Sequence, residues 1–174
     1  MKNQEKTVRI LQTAALVLLA GLCYIIADSH RERLVSLGDN APSFQVTTDK
    51  GTKISRANFG GQLLVVNFWA TWCPPCVDEM PSLQAMAKQL GPKGVVVLGV
   101  SVDKNELSYK RFLQQARIEF ETARDPKADI SAEYGTFKYP ETYVINREGK
   151  VVQKHIGPRD WMDPELLKSL ESLL

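Results

Sequence analysis

The clearest pattern in the chain is a pair of predominantly apolar runs, 63–69 and 95–102, each of which contains one polar residue, Asn67 in the first and Ser101 in the second. Both are rich in β-branched residues, as is typical of strands buried on both faces of a sheet. The segment between them, 75–90, carries apolar residues at helical spacing and is followed by Gly91-Pro92, so it predicts a helix. This order of strand, helix and strand predicts an α/β fold with a sheet that is covered on both faces.

Weaker patterns on both sides of this unit predict the rest of the domain. The other predicted elements are, in chain order, a hairpin (44–47 and 52–54), a helix (106–116), a short strand (120–122), a helix (126–134), two strands (141–146 and 151–156) and a C-terminal helix from Asp163.

The first 27 residues follow a different pattern. Residues 10–27 contain no charged side chain, and Lys2, Lys6 and Arg9 precede them. The run approaches the ~17–25 apolar residues that span a bilayer, and basic residues at its start favour a cytoplasmic N-terminus. We therefore predict a signal anchor with a transmembrane helix at 1–27, a juxtamembrane linker at 28–40 and a globular domain at 41–174. The alternatives are a cleaved signal peptide and a lipoprotein signal.

The overall charge argues against one class of partner. The chain has 22 basic and 20 acidic residues, a net charge of +2. Binding of nucleic acid depends on a basic surface, and no basic run interleaved with aromatic residues is present. The sequence therefore predicts no nucleic-acid partner.

Two of the three cysteines lie where the first apolar run meets the helix, in Cys73-Pro74-Pro75-Cys76. Cysteines at this spacing form a dithiol that can close into a disulfide. The helix N-terminus favours a thiolate at Cys73. Because the two prolines lack N–H groups, the N–H of Cys76 is the nearest main-chain donor left for the Cys73 sulfur. We predict that Cys73 is the exposed nucleophile of a thiol–disulfide exchange and that Cys76 is the buried resolving thiol.

A structural disulfide and a zinc site are the alternative interpretations of this pair. Zinc takes about four ligands, and the two histidines, His30 and His155, show no ligand spacing. A structural bridge does not need the strand–helix context. We therefore predict a redox-active Cys73–Cys76 disulfide, with no bound metal and no separate cofactor.

Three motifs of the chain resemble the thioredoxin-fold proteins of the TlpA/ResA/CcmG type. They are Phe-Trp-Ala-Thr-Trp-Cys-Pro-Pro-Cys at 68–76 with Glu-Met-Pro at 79–81, Ala-Pro-Ser-Phe at 41–44, and Tyr-Pro-Glu-Thr-Tyr-Val-Ile at 139–145. The similarity extends over residues 41–174. It implies a thioredoxin-like α/β fold, in which a central mixed sheet is flanked by helices, with an N-terminal hairpin extension and a central insertion. It also implies thiol–disulfide oxidoreductase activity.

The resemblance also implies a surface that binds substrate. Pro140 would be cis and opposite the cysteines, where it would expose the Tyr139 backbone for pairing with an extended substrate; the alternative is an ordinary trans proline in a turn. Glu141 would then lie beside the cysteines and give the docking groove acidic character, with a plain surface role as the alternative. Trp72 is predicted to be a partly exposed ring that contacts substrate, with plain packing as the alternative. Pro74 and Pro75 complete the predicted substrate-binding residues.

A proton relay is predicted from one departure from ordinary thioredoxins. Those proteins carry a buried aspartate where this chain has Asn67. Glu79 lies three residues after Cys76 and hence on the same helix face. A partly buried carboxylate there, with a raised pKa, would move protons to and from Cys76. The alternative is a solvated surface glutamate.

Two related classes fit the sequence less well. A peroxiredoxin needs a proline and a threonine ahead of one catalytic cysteine, and this chain has Val66 and Ala70 at those positions. A copper-binding chaperone of the Sco type needs a wider cysteine pair and a liganding histidine.

The resemblance implies an extracytoplasmic reductase of protein disulfides, tethered to the cytoplasmic membrane by its N-terminal helix, with the catalytic domain on the periplasmic side. Its substrates would be proteins with cysteine pairs, first among them apocytochrome c before haem attachment. A membrane electron-donor thiol protein would supply the electrons. The alternatives are reduction of copper-site proteins during oxidase assembly and general disulfide exchange, because the Cys-Pro-Pro-Cys loop alone does not set the direction of electron flow.

Overall fold

The computed structural model describes residues 2–29 and 34–174. An N-terminal helix, α1 (Lys2–Ser29), forms one unit, and the domain from Leu34 to Leu174 forms another. Within the described residues, no helix combines the length and the apolarity needed to cross a membrane. The helical prediction for this segment agrees with the structure, whereas its transmembrane role is not confirmed.

The domain begins earlier than predicted. Val35 is buried, and its carbonyl oxygen accepts a hydrogen bond of 3.0 Å from Nζ of Lys154. Gly38 donates its N–H to the carbonyl of Val151 at 2.8 Å. Residues 34–40 of the predicted linker therefore belong to the domain, because their backbone groups and an apolar side chain find partners there. Residues 30–33 of that linker lie outside the described residues.

A mixed sheet of five strands forms the centre of the domain. The strands are β3 (Leu63–Trp69), β4 (Val95–Ser101), β5 (Glu121–Arg124), β6 (Glu141–Asn146) and β7 (Val151–Ile156), and a separate hairpin is formed by β1 (Gln45–Thr47) and β2 (Lys53–Ser55). The order in the sheet is β5-β4-β3-β6-β7. The first three strands are parallel to one another, and β6 is antiparallel to both β3 and β7. Every residue of β3 is buried, which explains why the strand is apolar at every position except Asn67.

Four helices complete the domain. They are α2 (Pro74–Leu90), α3 (Glu106–Gln115), α4 (Asp129–Glu133) and α5 (Pro164–Glu171), and a 3₁₀ turn (Gly91–Lys93) follows α2. The predicted crossover is β3–α2–β4. The pair β1–β2 corresponds to the hairpin predicted at 44–47 and 52–54.

Alternate residues of β3 contribute to two cores, one on each face of the sheet. On one face, Val65 and Trp69 pack with α2, α5 and the Cys73–Cys76 pair. On the other, Val66 and Phe68 pack with the N-terminal segment of the domain and with buried tyrosines. The sheet is therefore covered on both sides, as the α/β pattern predicts.

The helix after β5 begins later than predicted. We expected a helix over 126–134, whereas α4 begins at Asp129, after Ala128 with a φ of 59°. The Asp125 carboxylate nevertheless accepts hydrogen bonds from the N–H groups of Asp129 and Ile130 at 3.1 and 2.8 Å. It stabilises the helix start across an intervening turn, because unpaired N–H groups at a helix start need acceptors.

Candidate active site

Cys73 and Cys76 form a disulfide at the start of α2, with their Cα atoms 5.3 Å apart. Cys73 is the N-cap residue in extended conformation, and prolines occupy the first helical positions, where a missing N–H is tolerated. Cys73 exposes 6% of its surface and Cys76 exposes none. Cys73 is therefore the accessible member of the pair, as predicted, although most of its surface is covered.

The backbone around the disulfide differs from the prediction in one respect. The N–H of Cys76 donates to the carbonyl of Cys73 at 3.0 Å, and the N–H of Val77 donates to the same oxygen at 3.1 Å. These bonds close the first turn of α2, whose N-cap carbonyl accepts the first bonds of the helix. In the disulfide form, the N–H of Cys76 is thus bonded to a carbonyl oxygen rather than to sulfur.

An exposed aromatic and proline rim surrounds the disulfide. Trp72 exposes 63% of its surface, and its ring meets that of Tyr139 edge-on, with 6.1 Å between centroids. Pro74 and Pro75 are exposed as well. The structure therefore brings four of the predicted substrate-binding residues to one surface, and plain packing does not account for Trp72.

The peptide bond between Tyr139 and Pro140 is cis, as the resemblance implies. Phe68 of β3 pairs with Glu141 of β6, so the cis-proline loop and the cysteines lie at the same end of the sheet. Pro140 is buried, and its carbonyl accepts a hydrogen bond from Gly157 at 2.9 Å. Ahead of it in this loop, Phe137 and Lys138 are exposed, and Tyr139 is half-buried against Trp72.

Glu79 is buried on the inner side of α2, with 4% of its surface exposed. Its Oε1 accepts from Nδ2 of Asn67 at 2.8 Å. Its Oε2 accepts from the backbone N–H of Arg159 at 3.0 Å and from Nε1 of Trp161 at 3.3 Å. A solvated surface position for Glu79 is therefore wrong, and the expected burial of the carboxylate is confirmed.

The electrostatic setting of Glu79 favours its neutral form. Burial raises the pKa of the Glu79 carboxyl above its ordinary value, while the hydrogen bonds from Arg159, Asn67 and Trp161 oppose that increase. Within the described ranges, 2–29 and 34–174, no cationic side chain forms an ion pair with this carboxylate. Glu79 therefore has the properties of a group that holds and releases a proton.

Asn67 is a partner of this carboxylate. It is fully buried on β3, and its Nδ2 donates both to Glu79 and to Oγ1 of Thr142, the latter at 2.9 Å. An amide does not titrate in the physiological range, so Asn67 orients Glu79 and leaves it as the only carboxylate of this pair.

The prediction for Glu141 is wrong, because its side chain lies on the other face of the sheet. Glu141 is fully buried, and its Oε1 accepts from the Tyr143 hydroxyl at 2.7 Å and from Nζ of Lys154 at 3.0 Å. Successive side chains of a strand point to opposite faces: Thr142 faces Asn67 and the α2 side, so Glu141 faces away from the disulfide. It gives no acidic character to the docking surface.

Sequence reasoning missed Arg159 and Trp161, which lie between β7 and α5. They are 80 and 82 residues from Glu79 in sequence, and no motif or spacing marks them. Trp161 is fully buried, and its ring packs edge-on against His155, with 5.5 Å between centroids. Burial lowers the pKa of His155, and the positive charge of Arg159 adds to this effect.

The fold and the site define a class of protein. A thioredoxin-like sheet, a disulfide at a helix start and a cis-proline loop at the same end of the sheet are the attributes of a thiol–disulfide oxidoreductase.

Comparison with known proteins agrees with this class. The chain belongs to the AhpC/TSA family, whose model matches residues 37–154. It is 34% identical over 127 residues to the thiol-disulfide oxidoreductase ResA of Bacillus thuringiensis subsp. konkukian, with 73% of each chain covered. It is 32% identical over 176 residues to ResA of Geobacillus kaustophilus, with 99% of each chain covered.

A solved structure gives the same result. The crystal structure of a putative thiol:disulfide interchange protein DsbE from Chlorobium tepidum superimposes with a TM-score of 0.69 at 32% identity, covering 80% of this chain and 95% of the other. The resemblance to the TlpA/ResA/CcmG type is therefore confirmed, as is protein disulfide oxidoreductase activity for the class.

Proposed function

We propose that this protein reduces disulfides of other proteins by exchange through the Cys73–Cys76 couple. The observation that carries the proposal is the position of Cys73: it caps α2, is the accessible member of the pair and lies within the exposed rim of Trp72 and Tyr139. A thiol at a helix start is activated as a thiolate. The rim provides apolar surface on which an extended substrate can lie.

The exchange has two steps. The Cys73 thiolate attacks one sulfur of the substrate disulfide, which forms a mixed disulfide and releases the other substrate sulfur as a thiolate that takes up a proton. The Cys76 thiolate then attacks Sγ of Cys73, which forms the Cys73–Cys76 disulfide and releases the second substrate thiolate. Two electrons pass to the substrate, and a thiol protein must afterwards reduce Cys73–Cys76 to restore the dithiol.

Glu79 is the proposed proton acceptor for Cys76 in the second step. Both side chains are buried on the inner side of α2, one helical turn apart. A carboxyl group with a raised pKa has an affinity for protons closer to that of a thiol than an exposed glutamate has, which makes transfer between the two less unfavourable. Asn67, Arg159 and Trp161 hold the carboxylate in place by hydrogen bonds.

The proposed substrate is apocytochrome c with its cysteine pair oxidised, and the proposed electron donor is a membrane thiol protein. The support is the resemblance to the TlpA/ResA/CcmG type together with the exposed rim, which suits an extended chain rather than a small molecule. Reduction of copper-site proteins and general disulfide exchange are the alternatives. A copper-binding chaperone is an alternative of a different class, because it would bind copper rather than exchange disulfides. Copper(I) titration of the reduced domain tests it, and tight stoichiometric binding would support it.

The proposed location is the outer side of the cytoplasmic membrane. The uncharged run 10–27 and the basic residues that precede it support attachment there, although α1 falls short of a membrane-spanning helix. Cell fractionation decides between the possibilities. Recovery in the membrane fraction after an alkaline wash is expected, and recovery in the soluble periplasmic fraction would rule out the anchor.

A trapping experiment tests the function. Cys76→Ser removes the resolving thiol, so a mixed disulfide between Cys73 and the substrate should accumulate. The experiment uses a Cys23→Ala background, because Cys23 is a free cysteine, and compares oxidised apocytochrome c with an oxidised copper-site protein. A trapped apocytochrome c adduct that is absent in Cys73→Ser supports the proposal. An adduct formed by Cys73→Ser but not by Cys76→Ser would show that the roles of the two cysteines are reversed.

A further inference from the structure

A second buried carboxylate, Asp103, lies just beyond the end of β4. It exposes 2% of its surface. Trp69 at the end of β3 pairs with Ser101 at the end of β4 in the parallel register. Residues that follow these two strands therefore meet at one edge of the sheet, and the residues that follow β3 are those that lead into Cys73.

The Asp103 carboxylate is bonded to this reactive loop through both of its oxygens. Its Oδ2 accepts from the backbone N–H of Thr71 at 2.8 Å, and its Oδ1 accepts from the Thr71 hydroxyl at 2.7 Å. The hydroxyl of Ser101 donates to Oδ2 at 2.7 Å. Among the residues that the structure describes, no cationic side chain forms an ion pair with it. A buried carboxyl group is costly unless it is hydrogen-bonded, and these donors bond both of its oxygens.

Thr71 is joined in turn to the reactive cysteine. The N–H of Cys73 donates to the carbonyl of Ala70 at 3.2 Å, which closes a turn over 70–73 with Thr71 inside it. In the oxidised state, the disulfide also ties Cys73 to α2. In the reduced state that tie is lost, whereas the bonds between Thr71 and Asp103 involve no sulfur and do not depend on it.

We propose that Asp103 is a positioning residue for Cys73: by holding Thr71 through both carboxylate oxygens, it keeps the Cys73 sulfur at the N-terminus of α2 when the disulfide is open. The inference rests on the proposed function in so far as Cys73 is the nucleophile. It assigns Asp103 no contact with substrate and no proton transfer.

The experiment compares Asp103→Ala with Asp103→Asn, both in the Cys23→Ala background and fully reduced. The readout is the rate at which Cys73 is alkylated by iodoacetamide at neutral pH in the folded protein. Asp103→Ala should slow alkylation by about tenfold, because a misplaced thiol loses the helix N-terminus that activates it. Asp103→Asn should stay within about threefold of the parent, because the amide oxygen still accepts from the Thr71 N–H and the amide nitrogen can donate to its hydroxyl.

Asp125→Ala is the matched control, because Asp125 is also a buried carboxylate beyond a strand end but binds the N–H groups of α4 instead of the reactive loop. It should lower the free energy of unfolding and leave the alkylation rate of the folded protein unchanged. If Asp103→Ala fails to fold, Thr71→Val tests the same contact, because it removes the hydroxyl donor and keeps a side chain of similar size. It should slow alkylation about threefold, about what the loss of one hydrogen bond predicts.

Three results would overturn the inference: alkylation of Asp103→Ala (or of Thr71→Val, where that variant replaces it) at the parent rate, an equal loss in Asp103→Asn and Asp103→Ala, or an equal loss in Asp125→Ala. The second would show that the charge of Asp103 matters and its position does not. Alkylation needs no protein substrate, so failure of the proposed function is separate: it would appear as an absence of protein disulfide reduction by the parent, whatever the effect of Asp103.

Discussion

Two glutamates, Glu79 and Glu141, are buried beneath opposite faces of the same sheet, and their surroundings differ. Glu79 lies on the disulfide side and is bonded by an asparagine amide, a backbone N–H and an indole N–H, all neutral donors. Glu141 lies on the other side and is paired with the ammonium group of Lys154. Burial is nearly equal, at 4% and 0% exposure, so the difference lies in the partners.

This difference separates a group suited to proton transfer from a structural one. A buried carboxylate with neutral donors can gain or lose a proton, because no fixed positive charge holds it in the ionised form. A buried carboxylate that is paired with a cation has its charge balanced. The cation here, Lys154, also binds the carbonyl of Val35, so it connects the sheet to the first residues of the domain. The two variants Lys154→Met and Glu79→Gln should therefore affect different properties of the protein.

The largest expected effect is on stability, at Lys154. Lys154→Met should lower the free energy of unfolding by about 3–5 kcal/mol, because it leaves Glu141 as an unpaired buried charge. Urea unfolding of the oxidised protein measures the loss. The double variant Lys154→Met with Glu141→Gln should recover most of it, and turnover per folded molecule should stay at the parent value. A loss below about 1 kcal/mol, typical of surface pairs, would show that this pair is not the structural element described.

The second effect is on turnover, at Glu79. Glu79→Gln should slow reduction of a protein disulfide by about 100-fold, within the range for loss of a general acid–base group, and should remove the step that Glu79 contributes to the pH–rate profile. The alkylation rate of Cys73 should be unchanged, because Glu79 acts on Cys76. An unaltered pH–rate profile would contradict the role of Glu79 as proton acceptor.

The third effect is on the pH dependence of stability. Burial raises the pKa of Glu79 in the folded chain above its ordinary value of 4.5, so the folded chain binds this proton more tightly than the unfolded chain. The resulting stabilisation is complete below the unfolded-state pKa and is lost as pH rises through the folded-state pKa. The unfolding free energy of the parent relative to Glu79→Gln should therefore fall as pH rises above about 4.5. A difference that increases over the same range would show that the pKa is lowered instead.

The smallest expected effect is a shift in the pH–rate profile, and it is tested by comparing two buried tryptophans. Trp161 donates its indole N–H to Glu79, whereas Nε1 of the equally buried Trp69 has no partner among the described residues. Trp161→Phe should move the Glu79 step of the pH–rate profile upward by less than about one pH unit, because one hydrogen bond to the carboxylate is lost. Trp69→Phe should leave the step in place. Equal shifts in both variants would assign the effect to packing.

The parts of the molecule that depend on local pattern could be predicted from sequence. Local patterns were enough to predict one strand, from the run 63–69, and one helix, which starts at a proline. The spacing of Cys76 and Glu79 was enough to place both side chains on the same face of that helix. The face of the sheet on which the Glu141 side chain lies could not be predicted from local pattern. It depends on the register of β6 against β3, in which Phe68 pairs with Glu141.

Contacts between segments that are distant in the chain could not be predicted from the sequence either. Val35 looks like part of a polar linker until its carbonyl is seen to bind Lys154, 119 residues away. Arg159 and Trp161 reach Glu79 from a loop without any motif. Asp103 follows an ordinary strand, and only the parallel pairing of β3 with β4 brings it to Thr71.

The most direct test of the comparison is an infrared difference spectrum between the oxidised and reduced protein in the Cys23→Ala background. We expect a change in the C=O stretch of a protonated carboxyl group when the dithiol forms, and this change should disappear in Glu79→Gln and persist in Glu141→Gln. If no carboxyl band changes, or if the band persists in Glu79→Gln, Glu79 is not the group that exchanges protons with the dithiol.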